Sequence, residues 1–254
     1  MKIAIDCGHG SATAGKRAPD GCREHWFNVK TAAYFAAEMD RHGVEYIKIG
    51  WNDSNSRDDA DVPLSTRQKQ IKAAGCEYSF SFHENAFGDG KSYNSAQGCE
   101  TLISDKAPGD SRRLAECVQK YLQQGTPQKN RGVKTQSLAM CNCSVLGTKA
   151  SVLLECGFMT NLNEEKLMET DAFCKECAQE AAQGFCEYLG IKYTPEGEKP
   201  QEKPQEKIQG YVVQKGDTLS AIGRKTGVAW KKIAELNGIK SPYTIRPGQV
   251  LRLK

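Results

Sequence analysis

One segment, residues 194–210, constrains this chain more than any other. It repeats Glu-Lys-Pro-Gln and contains almost no apolar side chain. Prolines among alternating charges favour an extended spacer over a packed element. The segment therefore predicts two separately folded parts, residues 1–193 and 211–254, joined by a linker. A length of 254 residues is enough for one medium domain and one small domain.

Composition narrows the class of protein further. Hydrophobic residues make up 39% of the chain and charged residues 26%, which is ordinary for a globular protein and excludes a mainly disordered one. No apolar run approaches the ~18 residues of a membrane span, so we expect no membrane insertion. Because the N-terminus leads directly into a strand pattern, we expect cytoplasmic synthesis without a signal peptide. In that compartment the eleven cysteines are predicted to be free thiols, with Cys141 and Cys143 in a polar loop and without an assigned role.

Strand and helix patterns alternate before the linker. Apolar runs predict strands at residues 2–6, 44–49, 78–82, 98–103 and 151–154. Periodic apolar faces predict helices at 24–42, 64–74 and 111–124, and a last helix that runs from an Asp171 cap to about residue 189. This alternation predicts an α/β fold, with a largely parallel twisted sheet flanked by helices.

Side chains that can bind a metal follow three of these strands. His9, His83 and Glu155 each come just after a predicted strand, and Glu24 begins the first long helix. Since ligands bind at the carboxyl ends of the strands in an open α/β sheet, the first three should converge at one edge and Glu24 can reach it from the side. Two histidines and a carboxylate are a frequent catalytic zinc set, and a second carboxylate can act as a base for the attacking water. We therefore expect a Zn²⁺ site at this edge.

Other metal-compatible residues lie near these positions. Cys7 and Cys156 could supply thiolates to zinc, but as direct neighbours of the candidate histidine and glutamate they should point away from the site. His25 and His42 lie on the first long helix and are interpreted as surface or cap residues.

Four segments carry a family signature in their order and spacing. They are residues 5–10 (Ile-Asp-Cys-Gly-His-Gly), Glu24 with Asn28, residues 81–86 (Ser-Phe-His-Glu-Asn-Ala) and residues 153–161 (Leu-Leu-Glu-Cys-Gly-Phe-Met-Thr-Asn). Together they resemble the zinc-dependent N-acetylmuramoyl-L-alanine amidases of the family-3 type, over about residues 1–190. The resemblance implies that His9, Glu24 and His83 hold zinc and that Glu155 is the general base.

Two further residues resemble family positions and two depart from them. Arg67 and Glu100 match the family, and no catalytic role is assigned to either. Cys7 stands where the family often has proline, and Glu84 stands where a small residue is usual. Glu84 would add negative charge near the metal.

The segment after the linker has its own pattern. It reads as a strand, a helix capped by Thr218, a second helix ended by Gly238 and a last strand, a βααβ module that resembles a LysM domain over its full length. The resemblance implies binding to N-acetylglucosamine-containing glycan through a groove between two loops. The residues expected to line it are Gly216, Asp217, Thr218, Leu219, Asn237 and Ile239.

The charge of this module indicates the kind of partner. Residues 211–254 carry nine Lys and Arg side chains against two acidic ones, which favours a polyanionic target such as an anionic bacterial wall. Nucleic acid ranks below the wall and is not expected as a partner, because no nucleic-acid motif accompanies the charge.

These observations predict a monomeric peptidoglycan hydrolase. It would cut the amide bond between N-acetylmuramic acid and L-alanine, and the LysM module would hold it on the wall. The alternatives are a zinc peptidase that cuts within the stem peptide and a non-catalytic wall-binding protein. We expect it to reach the wall as a phage endolysin through holin-type release, or as a host autolysin after cell lysis.

Overall fold

The computed structural model describes residues 1–53, 59–125, 128–197 and 210–253. The chain divides into two units, Met1–Glu198 and Lys199–Lys254. Residues 198–209, most of the predicted linker, lie outside the described residues. At the start of that linker Thr194 is buried and its N–H donates to His42 Nε2 at 3.0 Å, so the packing of the first unit reaches this residue. None of the described helices is long and apolar enough to cross a membrane.

Strands and helices alternate through the first unit. The strands are β1 (Lys2–Cys7), β2 (Glu45–Ile49), β3 (Tyr78–Asn85), β4 (Cys99–Ser104), β5 (Asn130–Gln136) and β6 (Ala150–Phe158). The helices are α1 (Glu24–Arg41), α2 (Leu64–Ala73), α3 (Gly109–Gly125), α4 (Cys143–Leu146), α5 (Leu162–Met168) and α6 (Asp171–Leu189). A 3-10 turn at Ala139–Cys141 precedes α4.

The six strands form one sheet in the order β2-β1-β3-β6-β4-β5. All neighbouring pairs are parallel except β4 with β6, which confirms the predicted α/β fold with a largely parallel sheet. The chain leaves β1 toward β2 on one side and returns to β3 on the other. This reversal makes the carboxyl ends of β1 and β3 the switch point of the sheet, where a crevice for ligands is expected.

Helices cover both faces of the sheet, which is why its strands are almost continuously apolar. Alternate residues of β1 point to opposite faces. Ile3 and Ile5 belong to the large core beneath α1, α3 and α6. Ala4 belongs to a smaller core with Ile71 of α2 and Met140 of the 3-10 turn.

Several boundaries differ from the sequence prediction. Both β3 and β6 extend further than expected, so His83 and Glu155 lie within strands and not after them. The prediction that Asp171 caps the last helix was wrong, because Thr170 Oγ1 accepts the N–H of Phe173 and Asp171 is the first helical residue. The sequence analysis also missed β5, α4 and α5, which lack the long apolar pattern that would have revealed them.

Cys141 and Cys143 do not lie in a polar loop, as had been predicted. Both are buried, and the Sγ of Cys141 lies 3.7 Å from the carbonyl oxygen of Leu102. They act as small apolar residues that join the 3-10 turn and α4 to the sheet. The free state of the eleven thiols in solution stays a prediction.

The second unit has the predicted βααβ order. Its elements are β7 (Gly210–Val212), α7 (Leu219–Thr226), α8 (Trp230–Leu236) and β8 (Val250–Arg252). The two strands pair antiparallel, and Thr218 caps α7 by accepting the N–H of Ala221 at 3.2 Å, as expected. A small core of eight buried residues holds the unit together: Tyr211, Val213, Leu219, Ile222, Ile233, Ala234, Leu251 and Leu253.

Candidate active site

Three of the predicted metal ligands meet at the switch point of the sheet. His9 follows β1, His83 lies near the end of β3, and Glu24 is the first residue of α1. Glu24 Oε1 lies 2.9 Å from His83 Nδ1 and 3.3 Å from His9 Nε2. The two imidazole rings stand edge to face, with centroids 5.0 Å apart. Two ring nitrogens and one carboxylate oxygen therefore converge on one point.

The backbone after β1 is shaped for this convergence. A Cβ on Gly8 would lie 2.2 Å from the ring of His83, so only glycine allows the ring to approach the chain this closely. His9 itself has a φ of 63°, in the left-handed region that a histidine rarely occupies. Such a conformation costs about 1–3 kcal/mol and persists only where surrounding contacts impose it.

Arg67 supplies those contacts. It is 2% exposed, and its guanidinium donates to the carbonyl oxygens of Cys7 and His9, the latter at 2.5 Å. The same group donates to Asp6 Oδ1 at 2.8 Å, and Ser81 donates to the other oxygen of Asp6. The guanidinium is planar and has five N–H donors in a fixed arrangement, so it can hold these acceptors in one defined geometry. Sequence reasoning assigned Arg67 no role, but the structure places it directly beneath the His9 loop.

His25 corrects a second expectation. It is neither a surface nor a cap residue: it is 1% exposed, with Nδ1 2.8 Å from the Gly8 carbonyl oxygen and Nε2 3.1 Å from Asp59 Oδ2. Asn28 also donates to the Gly8 carbonyl, at 3.1 Å. His25 and Asn28 therefore fix the loop between β1 and α1 from the helix side. His42, in contrast, is the C-cap residue of α1, as expected.

Glu155 lies beside His83 on the neighbouring strand. The two residues are register partners between β3 and β6, and Glu100 of β4 is the register partner of Glu155 on the other side. Glu155 Oε2 is buried and has no hydrogen-bond partner among the described residues. Glu100 is engaged by Arg131 Nε at 2.6 Å and by Lys134, so its charge is balanced away from the site.

The carboxyl groups of Glu24 and Glu155 have pKa values that are shifted in opposite directions. Burial raises the pKa of Glu155 to about 8. The charge of His83 acts against this rise, and the charge of Glu24 adds to it. Glu24 is buried too, but hydrogen bonds from His83 and His9 hold the pKa of its carboxyl far below the usual range. One carboxylate is therefore permanently ionised, whereas the other can accept and release a proton near neutral pH.

Glu84 does not share the site with its neighbour. Alternate residues of a strand point to opposite faces, so His83 and Glu84 belong to different sides of β3. Glu84 is 7% exposed, and burial together with the nearby Glu24 charge raises the pKa of its carboxyl well above the usual value. The expectation that Glu84 adds negative charge near a metal stays a prediction.

A cavity of about 340 Å³ opens beside the two histidines. The polar side of its wall includes Asp6, His9 and His83. Pro63 and Leu64, at the start of α2, form an apolar side, and Leu64 is 55% exposed. The cavity gives a ligand access to the imidazole rings of His9 and His83.

In the second unit, three of the residues expected to bind glycan use their side chains within the fold. Asp217 accepts from the Tyr211 hydroxyl and the Gln214 N–H, both at 2.8 Å. Asn237 donates to the Arg252 carbonyl and accepts the Arg252 N–H, both at 2.8 Å. Thr218 is the α7 cap described above. Gly216 lies in the turn before that cap, with a φ of 90°.

The fold and the site define a class of hydrolase that acts on bacterial cell walls. A family model described as N-acetylmuramoyl-L-alanine amidase matches residues 3–187, and a LysM domain model matches residues 211–254. The first match spans well over half of the chain, so the chain belongs to the N-acetylmuramoyl-L-alanine amidase family. It is an amidase of peptidoglycan with a wall-binding domain, and its family is one of metal-dependent hydrolases.

Individual relatives agree with this assignment. The endolysin of Bacillus phage SPP1 is 25% identical over 204 residues, which cover 79% of this chain and 70% of that protein. The crystal structure of N-acetylmuramoyl-L-alanine amidase from Clostridium difficile 630 superposes with a TM-score of 0.64 at 25% identity, covering 75% of this chain and 97% of the other. The LysM part is 56% identical over 43 residues to the uncharacterized lipoprotein YgeR of Escherichia coli (strain K12), which covers 17% of each protein.

Proposed function

We propose that this amidase cuts the bond between N-acetylmuramic acid and L-alanine with Zn²⁺ held by His9, Glu24 and His83, and with Glu155 as the general base. The observation that carries the proposal is the convergence of two ring nitrogens on Glu24 Oε1, with a partner-less Glu155 oxygen on the neighbouring strand. All four residues lie at the switch point, where an α/β sheet binds its ligands.

The residues fit a zinc ion chemically. Two imidazoles and one carboxylate are a frequent catalytic zinc set. Glu24 Oε2 is buried without a hydrogen-bond partner among the described residues, which is costly unless a positive charge is present nearby. The pKa of His83 is raised by the Glu24 carboxylate against the opposing effect of burial, so the site already favours positive charge at this point.

The chain's own residues would then divide the chemistry. Bound Zn²⁺ would polarise the substrate carbonyl and lower the pKa of a water molecule. Glu155 takes a proton from the attacking water as the new C–O bond forms. It delivers that proton to the L-alanine nitrogen as the C–N bond breaks, which leaves a lactyl carboxylate and a free amine. A carboxyl whose pKa lies above the usual value can serve in both directions.

Arg67 and His25 act in this proposal as positioning residues. Arg67 holds the His9 carbonyl, and His25 holds the Gly8 carbonyl. Their contacts impose the left-handed conformation of His9 that directs its ring toward Glu24.

The second unit is proposed to bind N-acetylglucosamine-containing glycan through the loops around Gly216 and Ile239. The side chains of Asp217, Thr218 and Asn237 are engaged in hydrogen bonds within the second unit. Glycan contacts in this region would therefore come chiefly from backbone groups. The prediction that these residues line the glycan groove is retained, with their side chains supporting its shape.

We also propose how the protein reaches its substrate. The similarity to a phage endolysin over 79% of the chain favours holin-type release from an infected cell. An autolysin that acts after lysis of its own cell is the alternative. A holin reading frame beside the gene would support the first route.

Mass spectrometry of digested cell walls tests the proposed reaction. Purified walls should yield intact stem peptides with free L-alanine amino termini and muramic acid with free lactyl carboxylates, and a zinc chelator should abolish both products. Cleavage within the stem peptide would instead identify a peptidase. Absence of any soluble product, with wall sedimentation intact, would identify a non-catalytic binding protein.

A further inference from the structure

A second cluster of metal-binding side chains shares no residue with the catalytic set. Cys22 lies in the loop before α1, and Glu165 and Glu169 lie in and just after α5. One ligand atom from each of the three residues lies within 4.8 Å of the others. This spacing is close enough for one ion to gather a sulfur and two carboxylate oxygens with small side-chain movements.

The backbone around Cys22 is fixed by its own hydrogen bonds. The Cys22 N–H donates to Asp20 Oδ1 at 2.9 Å, and its carbonyl accepts the N–H of Ala18 at 2.8 Å. An isolated antiparallel β-bridge between the backbones of Arg17 and Arg23 closes the base of the loop. The half-buried thiol is therefore presented at a defined position, two residues before Glu24.

The two glutamates lie on one face of the helical turn, four residues apart. Like charges at this spacing repel each other. Glu165 is only 3% exposed, and its Oε1 has no hydrogen-bond partner among the described residues. Burial raises the pKa of Glu165 to about 7, and the charges of Glu169 and Asp20 and a hydrogen bond with the Asp20 side chain add to the effect. A buried, partner-less carboxylate oxygen beside a second carboxylate is expensive unless a cation compensates for it.

The nearby lysines do not provide that compensation, since Lys166 lowers the pKa of Glu165 less than the surrounding carboxylates raise it. Lys30 Nζ lies 2.9 Å from Asp171 Oδ1, and it also donates to the backbone carbonyl of Glu169 at 3.3 Å. It is therefore engaged away from both carboxylates of the cluster. The geometry leaves a cluster of acidic side chains around Cys22, in which Glu165 Oε1 has no hydrogen-bond partner among the described residues.

We propose that Cys22, Glu165 and Glu169 form a second divalent-cation site, distinct from the catalytic one and suited to Zn²⁺. A thiolate favours zinc over the hard cations that all-oxygen sites take. On binding, the Cys22 thiol loses its proton to solvent and an S–Zn bond forms, while the two carboxylates supply oxygen ligands. The ion would join the loop that leads into Glu24 to the end of α5, and so fix the start of α1.

Metal content and a cobalt spectrum test this proposal on the full chain. Wild-type protein equilibrated with Zn²⁺ and then desalted should hold two equivalents, and Cys22→Ser should hold one. With Co²⁺ in place of Zn²⁺, wild type should show a thiolate-to-cobalt charge-transfer absorption that Cys22→Ser loses. Cys117→Ser is the matched control, because Cys117 is also half-buried but lies within reach of a single carboxylate oxygen, Glu187 Oε1 at 4.0 Å.

Two further variants separate this site from the catalytic one. His83→Ala should lose one zinc equivalent but keep the cobalt–thiolate absorption, since the proposed second site contains no histidine. Glu169→Gln changes an exposed residue, so the fold should tolerate it, and the dissociation constant of the second equivalent should rise at least ~10-fold. A wild-type protein that holds a single equivalent, an absorption that persists in Cys22→Ser, or an unchanged dissociation constant in Glu169→Gln would each overturn the proposed site.

Discussion

The two units of this protein use their hydrogen-bonding side chains in different ways. In the first unit, Arg67, Asp6 and His25 are buried beneath a functional edge, where they hold the loop that carries His9. In the second unit, Asp217 and Asn237 close backbone hydrogen bonds of a small fold with eight core residues. The difference indicates that function in the first unit depends on the exact positions of a few side chains, such as that of His9. Function in the second unit is expected to depend on the shape of a surface that its backbone forms.

The largest effect is expected where side chains would bind metal. His9→Ala, Glu24→Ala and His83→Ala should each lose the catalytic zinc and reduce wall lysis to background, because three protein ligands are the usual set for such a site. Zinc per chain and turbidity loss of purified walls measure both outcomes. His42→Ala, which changes the α1 cap residue, is the control and should keep both. Full retention of the catalytic zinc in any of the three would remove that residue from the ligand set.

Arg67→Ala should cost more stability than any exposed arginine. It leaves Asp6 buried without its cationic partner, and breaking such a pair costs about 3–5 kcal/mol. Denaturant unfolding measures the loss. Arg112→Ala is the comparison, because Arg112 is exposed and its guanidinium donates to the Thr135 hydroxyl, a neutral group, at 3.3 Å. Similar losses for the two variants would show that the Arg67 network does not hold the first unit.

Asn237→Ala tests the contrast from the side of the second unit. The amide makes paired hydrogen bonds with the Arg252 backbone, so its loss should destabilise this unit by about 1–3 kcal/mol. Thermal unfolding followed at Trp230 reports the change, and hydrolysis of soluble muropeptide by the first unit should be unaffected. Lys240→Ala, an exposed neighbour, is the control. Loss of wall sedimentation with unchanged unfolding would mean that Asn237 contacts glycan directly.

A smaller effect is expected at Glu180, a buried acid of the first unit that serves no site. Burial and the Glu176 charge raise its pKa from 4.5 to about 8. Between these values the folded chain binds more protons than the unfolded chain, so stability falls as pH rises, by up to about 1.4 kcal/mol per pH unit.

Glu180→Gln should therefore raise the free energy of unfolding more at about pH 8 than at about pH 5. Denaturant titrations at the two pH values measure the difference. Glu187→Gln is the control, because Glu187 is exposed and its pKa is lowered by hydrogen bonds from Lys120 and Tyr121. An equal gain for Glu180→Gln at both pH values would contradict the assigned pKa shift.

The sequence predicted the α/β fold and the convergence of His9, Glu24 and His83 at one edge of the sheet, because apolar runs mark the strands even where their ends are misplaced. It placed His9 and His83 after separate strands. Because those two strands are parallel neighbours, both histidines lie at the same edge of the sheet. It could not reveal that Arg67 holds the His9 carbonyl or that His25 pairs with Asp59. Those contacts join residues that are 34 to 58 positions apart and leave no local pattern.

The local sequence pattern also explains why some structural predictions were wrong. The strand β5 has the sequence Asn-Arg-Gly-Val-Lys-Thr-Gln, in which a single apolar side chain gives no strand signal. Cys141 and Cys143 alternate with the polar residues Asn142 and Ser144 in sequence, but the 3-10 turn and α4 place both thiols in the interior. The roles assigned to the four site residues stay predictions, although their positions agree with those roles.

The central claim is that zinc binding and proton transfer are carried by different strands, and Glu155→Gln tests it most directly. The variant keeps the size of the side chain and removes only the base. Catalytic zinc should remain at the wild-type level, because His9, Glu24 and His83 are untouched, and sedimentation with walls should be unchanged. Hydrolysis of walls should fall by a factor of about 10²–10⁴, the usual contribution of a positioned general base. A near wild-type rate, or loss of the catalytic zinc, would contradict the account.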